Sequence, residues 1–204
     1  YMSNKLPEIF YLENVAKQDV FANIIADLND GVWKYGVIKI NAAGFDIEDN
    51  ANFWSVDMVK NRWTEVLFQD IIDKLEALDP RVKGYNFKSL DVVAGGKTFG
   101  LDGNIHVDRE FEFNSNGDGY MTMCYFPNKE WSPEWGGELQ FFDNQGNIIA
   151  SYYPMPNTCI VFDSNIPHRG LAPNRNCTEL RKYISFKTFV NKFDFSGDIE
   201  AEVK

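Results

Sequence analysis

Residues 136–153 read GGELQFFDNQGNIIASYY, and this stretch decides the fold class. Two short β-rich runs, 138–142 and 147–153, flank the breaker Asn144-Gln145-Gly146, and Gly136-Gly137 opens the first. Aromatic and β-branched residues suit a pleated, half-buried surface, while Gly and Asn tolerate the backbone angles of tight turns. The same texture extends outward through 120–127, 158–162 and 181–190, with breakers at Asn116-Gly117-Asp118-Gly119 and at 154–157. Short strands at regular spacing, separated by turn signals, predict a sandwich or barrel, here a jelly roll.

Upstream of about residue 87 the texture is mixed and partly helical. Within 15–28, Val20, Phe21, Ile24, Ile25 and Leu28 recur at helical spacing. Gly31 ends that segment, 32–40 reads as a strand, and the small, acidic residues of 42–52 read as a loop. A second stripe, Leu67, Phe68, Ile71, Ile72 and Leu75, is closed by Asp79-Pro80. The expected fold is α+β and mainly β, a double-stranded β-helix (jelly roll) core with N-terminal helices packed on it. The 204 residues are expected to form a single domain, with support over about 1–88, the core over about 89–190 and a tail over 191–204.

Composition narrows the function classes. With 44% hydrophobic and 15% aromatic residues, the chain is rich enough in apolar surface to exclude a disordered protein. No apolar run approaches the roughly 20 residues that span a bilayer. The N-terminus lacks a basic-then-apolar signal, Met2 reads as the natural start, and a cytoplasmic location is expected. Cys124, Cys159 and Cys177 are odd in number and contain no CxxC pair, which argues against a disulfide framework or zinc-thiolate site. A net charge of −10 disfavours nucleic acid as a partner, and is compatible with solubility or with a cationic protein or peptide.

The sequence contains only two histidines, His106 and His168. In His106-Val107-Asp108 the first and third side chains share a face if the segment is extended. A histidine from a distant strand can then complete three ligands on one face of an octahedron. Two imidazoles and one carboxylate with open positions are the ligand set of non-haem iron(II) oxygenases. The tripeptide alone is a weak signal, because HxD occurs by chance.

The strand Arg181-Lys182-Tyr183-Ile184-Ser185-Phe186-Lys187 alternates, with Ile184 and Phe186 on one face and Arg181, Tyr183 and Ser185 on the other. A dicarboxylate that chelates iron at one end needs a cation at its other end. Arg181, thirteen positions after His168, suits such a bidentate salt bridge. Lys182 has the wrong parity. Lys187 has the right parity but is expected further from the metal end, and Arg169 is expected to orient its loop or touch substrate.

The sequence from about residue 90 to 189 resembles the prolyl-4-hydroxylase-like branch of the Fe(II)/2-oxoglutarate dioxygenase superfamily. The resemblance rests on His106-x-Asp108, Asn116-Gly117-Asp118-Gly119 leading to Thr122, Tyr125-x-x-Asn128-Lys129-Glu130-Trp131, Gly136-Gly137-x-Leu139-x-Phe141, His168 and Arg181. The Asn-Gly-Asp-Gly and Asn-Lys-Glu-Trp segments look particularly like the hypoxia-sensing prolyl hydroxylases and their bacterial relatives. The resemblance implies iron on His106, Asp108 and His168, and 2-oxoglutarate anchored by Arg181. It also implies consumption of O2, release of succinate and CO2, hydroxylation of an unactivated C–H bond, and ascorbate as a candidate reductant.

Two departures stand out. The family often carries a tyrosine where this chain has Phe126, followed by Pro127, so Arg181 is expected to work with a different hydroxyl. The family's tyrosine-bearing strand upstream of the HxD is replaced by Ala94-Gly95-Gly96-Lys97. The aromatics Trp131, Trp135, Phe141 and Phe142 read as core or loop anchors before channel lining, and 42–52 and 109–119 as candidate lids. A peptidyl prolyl 4-hydroxylase-like activity leads. Hydroxylation of a free amino acid or other small molecule is the alternative, followed by a catalytically inactive jelly-roll binding protein.

Overall fold

The structure is a computed structural model that describes residues 9–36, 53–58 and 61–192. In chain order the elements are β1 (Ile9–Leu12), α1 (Gln18–Asp30), β2 (Lys34–Tyr35), β3 (Trp54–Val56), α2 (Arg62–Leu78) and β4 (Tyr85–Lys97). Then follow β5 (Gly119–Phe126), β6 (Leu139–Phe142), β7 (Ile148–Tyr152), β8 (Thr158–Asp163), β9 (His168–Gly170) and β10 (Arg181–Lys192). Seven strands form one antiparallel sheet in the order β1-β8-β5-β10-β4-β3-β2, and three form a second in the order β7-β6-β9.

Strand parity sorts the large sheet into two faces. Met121, Met123 and Tyr125 of β5, with Ile184 and Phe186 of β10, are buried against Ile24 and Leu28 of α1 and Leu67, Ile71 and Leu75 of α2. Cys124 and Phe126, with Ile160 and Phe162 of β8, face the small sheet through Leu139 and Phe141. Each buried side chain of this size contributes about 1.5–3 kcal/mol. The helices therefore brace one face, and the other is left to form a cavity with the small sheet. This mainly β, two-sheet arrangement with helices on one side matches the fold class expected from sequence.

The helices lie where the apolar stripes predict. Asn61 caps α2 by accepting from Trp63 N (2.8 Å), and Asp79-Pro80 stops it, since the residue before proline is held away from helical angles. Neither helix is long and apolar enough to cross a membrane. The expected strand over 32–40 is seen only as Lys34–Tyr35; residues 37–40, the 42–52 loop and the tail beyond 192 lie outside the described residues. The strands β1, β3 and β9 and the full length of β4 are additions to the sequence reading. The pair Gly95-Gly96 resembles a breaker but lies inside β4, because Tyr183 and Leu180 fill the space where their side chains would be.

Candidate active site

His106 and His168 are locked together by their own backbones. The two residues form an antiparallel bridge, His106 N to His168 O at 3.0 Å and His168 N to His106 O at 2.9 Å. Asp108 N and Arg109 N both donate to Ser164 O (2.9 and 3.1 Å), which ties the HxD segment to the end of β8. The donor atoms of His106, Asp108 and His168 consequently lie within 4.8 Å of one another, the one such cluster among the described residues. Asp108 Oδ1 is 3.7 Å from His106 Nε2, and Oδ2 is 3.6 Å from His168 Nε2.

The donor set suits a divalent cation. Each imidazole places Nδ1 2.9 Å from a backbone carbonyl two residues earlier, Asn104 O for His106 and Ile166 O for His168. A proton on Nδ1 satisfies that contact and leaves the Nε2 lone pair for a metal. Burial pushes the His168 imidazolium down to about 4, against the pull of Asp108, so the ring is neutral near pH 7. Burial alone would raise the Asp108 carboxyl. The Lys187 ammonium and His168, with hydrogen bonds from Lys187 and Thr122, outweigh it and hold the group at about 2. Thr122 Oγ1 donates to Asp108 Oδ2 at 2.6 Å and lies 3.0 Å from Ser164 Oγ. Two imidazole nitrogens and one carboxylate in this geometry fit iron(II), with no thiolate to favour zinc.

Lys187 corrects an expectation. The sequence reading put it further from the metal end than Arg181, yet its ammonium pairs directly with Asp108 Oδ2. The reason is strand direction: Lys187 is the register partner of Thr122, which itself holds Asp108. Arg181, six residues earlier on the same face, is the partner of Lys97 at the end of β4.

A cavity of about 490 Å³ joins the triad to Arg181, and its lining includes Lys97, Thr122, Leu139, Phe162, Tyr183 and Lys187. Arg181 is 2% exposed, donates from Nε to Gly137 O (2.5 Å), and stacks its guanidinium 5.2 Å from the Phe126 ring centroid. Phe126 therefore keeps contact with Arg181 without offering a hydroxyl. Tyr125 points to the helix side and donates its hydroxyl to Asn157 Oδ1 (2.9 Å), in keeping with its opposite parity. The phenol inside the cavity is Tyr183, whose ring occupies the space left by Gly95 on the paired strand.

Other candidates fall outside the cavity. Trp131 and Trp135 pack edge to face at 5.3 Å, and Trp131 Nε1 donates to Gly136 O (3.0 Å), so they anchor a loop. Phe141 is fully buried core beside Phe162 and His168. Arg169 donates to Gln140 Oε1 (3.0 Å) across the small sheet and lies over the Phe142 ring, which fits a loop-orienting part. Sequence reasoning missed Lys97 and did not assign the parts of Thr122 and Tyr183, although the parity of β10 already put Tyr183 on the Arg181 face.

The sequence model of the 2OG-Fe(II) oxygenase superfamily matches residues 97–189, the segment that carries the triad, Arg181 and Lys187. A comparison with curated proteins finds no significant sequence match. Among solved structures, a Trichoplax adhaerens prolyl hydroxylase in complex with a hypoxia-inducible factor oxygen degradation domain peptide superposes with a TM-score of 0.60. It is 15% identical over 89% of this chain and 83% of that one. A Pseudomonas putida prolyl-4-hydroxylase gives 0.51 at 16% identity over 91% and 85%. The 2-oxoglutarate-dependent carbocyclase SnoK of nogalamycin biosynthesis gives 0.60 at 10% identity over 89% and 79%. At these identities the superpositions speak for the fold. The segment 97–189 thus matches the 2OG-Fe(II) oxygenase superfamily, and it carries a triad suited to Fe(II) alongside 2-oxoglutarate and O2.

Proposed function

We propose that the protein hydroxylates an unactivated C–H bond of a peptidyl residue, with proline the first candidate. His106, Asp108 and His168 hold Fe(II), and Arg181 anchors 2-oxoglutarate. The observation that carries this reading is one cavity holding both the three convergent donor atoms and a buried guanidinium.

When bound, iron(II) and 2-oxoglutarate would activate O2, the oxidant, which takes two electrons from 2-oxoglutarate (released as succinate and CO2) and two from the substrate C–H bond. The chain's own residues bind, orient and exclude water. The backbone carbonyls of Asn104 and Ile166 hold the two imidazoles in the tautomer that presents Nε2. Thr122 and Lys187 engage Asp108 Oδ2 and so hold the carboxylate beside the two imidazoles, where it would serve as the third ligand. Leu139 and Phe162 form an apolar wall against water.

The rim favours a substrate arriving from outside. The His106 side chain is 53% exposed, and its chain neighbour Ile105 is exposed as well. A side chain of a larger molecule can reach the triad there without the whole molecule entering. The small-molecule reading draws support from the carbocyclase, which shares the fold.

Anaerobic addition of Fe(II) and 2-oxoglutarate should give the weak visible charge-transfer band of the chelate. Asp108→Ala should lose the band and weaken metal binding by more than about 100-fold, beyond the effect of losing a supporting hydrogen bond. An undiminished band in that variant overturns the triad assignment. Succinate release over proline-containing peptides and free amino acids then separates the two substrate classes; turnover raised by free amino acids alone overturns the peptidyl reading.

A further inference from the structure

The closed end of the cavity holds two buried cations side by side. Lys97 is 8% exposed and Arg181 2%. They are register partners on adjacent strands, and both line the cavity. Lys97 Nζ donates to Leu101 O (2.9 Å), which leaves two further N–H donors on the ammonium. Arg181 spends Nε on Gly137 O, and its Nη1 and Nη2 lie 3.8 and 3.7 Å from where a Cβ on Gly170 would sit. Among the described residues, neither cation forms an ion pair with a carboxylate. Asp102 favours the Lys97 ammonium without pairing with it, and accepts instead from Ala172 N (2.8 Å).

That arrangement is costly by itself. Burying one charge without a partner is unfavourable, and placing a second of the same sign beside it adds repulsion. Burial and then Arg181 push Lys97 down to about 8. The space around the pair is also kept open, since a Cβ at Gly103 would lie 3.2 Å from Lys97 Nζ and 3.0 Å from Gly170 O. Two uncompensated cations facing a glycine-lined space are complementary to an anion that can accept from both.

We propose that Lys97 is a second anchor for the distal carboxylate of 2-oxoglutarate. It shares that group with Arg181 and makes the site selective for 2-oxo dicarboxylates over 2-oxo monocarboxylates. This rests on the reading of Arg181 as the 2-oxoglutarate anchor. Selectivity follows because a monocarboxylate would leave both cations buried and unpaired, a larger penalty than the loss of one hydrogen bond.

The test measures binding to metal-loaded protein, by the anaerobic Fe(II) chelate band and by calorimetry with redox-inert Mn(II). The probes are 2-oxoglutarate and 2-oxopentanoate, which has the same five-carbon chain without the distal carboxylate. Lys97→Met should weaken 2-oxoglutarate by roughly 10- to 100-fold, leave 2-oxopentanoate unchanged, and thereby narrow the preference between them. Lys97→Arg should retain most of the dicarboxylate affinity. Lys97→Met should also melt no lower than wild type without ligand, because methionine removes an unpaired buried charge at similar volume. Unchanged binding of both acids, equal loss of both, or a lower ligand-free melting temperature overturns the proposal. Loss in Arg181→Met with none in Lys97→Met overturns this inference alone. Intact 2-oxoglutarate binding in Arg181→Met overturns the anchor reading beneath it as well.

Discussion

At the triad end of the cavity the Asp108 carboxylate lies among Lys187, Thr122 and two imidazoles, whereas at the closed end no carboxylate among the described residues is paired to Arg181 or Lys97. The Asp108 and His168 side chains at the first end and both cations at the second are buried, and both ends draw on β10. The triad end is balanced within the chain, so its geometry can be held before any metal arrives. The closed end is left positive, so the ligand itself completes its charge balance. A fold can afford that imbalance only where an anion is expected, because buried like charges are otherwise unfavourable.

Breaking the balanced end should produce the largest effect. Thr122→Val removes the 2.6 Å hydrogen bond to Asp108 Oδ2 at nearly constant shape. Losing a group that orients a metal ligand costs roughly 10- to 100-fold in metal affinity. Calorimetry with Mn(II) should show that loss. Once metal is saturating, the preference for 2-oxoglutarate over 2-oxopentanoate should stay as in wild type, since Arg181 and Lys97 are untouched. A changed preference would mean that the two ends are not separable.

The convergence of His106, Asp108 and His168 and the cavity-facing side of Arg181 were legible in the sequence because each rests on a local rule. HxD in extended backbone shares a face, and the alternation of 181–187 fixes which side chains accompany Arg181. The helices were legible through apolar spacing, and Asp79-Pro80 marked the end of α2. What the sequence hid depends on long-range register. Parity alone puts Lys187 and Arg181 on one face, but only the pairing of β10 with β5 says that Lys187 reaches Asp108. Lys97 was hidden because Gly95-Gly96 looks like the end of a strand. The glycines are instead the space taken by Tyr183 and Leu180, residues more than eighty positions away. The strand β1 is four residues long, and its partner β8 begins at Thr158.

The unbalanced end should reveal itself through pH. Lys97 sits at about 8 in the folded protein against 10.5 for an ordinary lysine, with burial and then Arg181 lowering it and Asp102 raising it. Between those values the unfolded chain holds a proton that the folded chain does not. Ligand-free stability should therefore rise with pH across that window, by about 3 kcal/mol in all. A bound carboxylate favours the protonated ammonium, so 2-oxoglutarate affinity should be full below about 8 and fall above it. By pH 9 the loss should be about tenfold in wild type and absent in Lys97→Arg, whose guanidinium stays charged. Titrations of Mn(II)-loaded protein at pH 7 and pH 9 measure it. Parallel pH curves for the two proteins would place the titrating group elsewhere.

The finest distinction concerns Tyr183. Its ring lies 5.9 Å from the Arg181 guanidinium and packs against Phe53, and burial raises its phenol well above the ordinary tyrosine value. The group is therefore a neutral O–H donor at any working pH. Among the described residues that hydroxyl has no hydrogen-bond partner, although it lines the cavity. If Arg181 anchors 2-oxoglutarate, this hydroxyl is placed to take the part that Phe126 cannot, reaching the cavity from β10 instead of β5 because Gly95 makes room for its ring. A neutral hydrogen bond is worth about 0.5–1.5 kcal/mol, so Tyr183→Phe should weaken 2-oxoglutarate by roughly 2- to 10-fold. The same change should leave 2-oxopentanoate and Mn(II) binding alone, because the ring and its packing remain. An equal loss for both acids would assign Tyr183 to the shape of the cavity, leaving Arg181 and Lys97 to hold the carboxylate by charge alone.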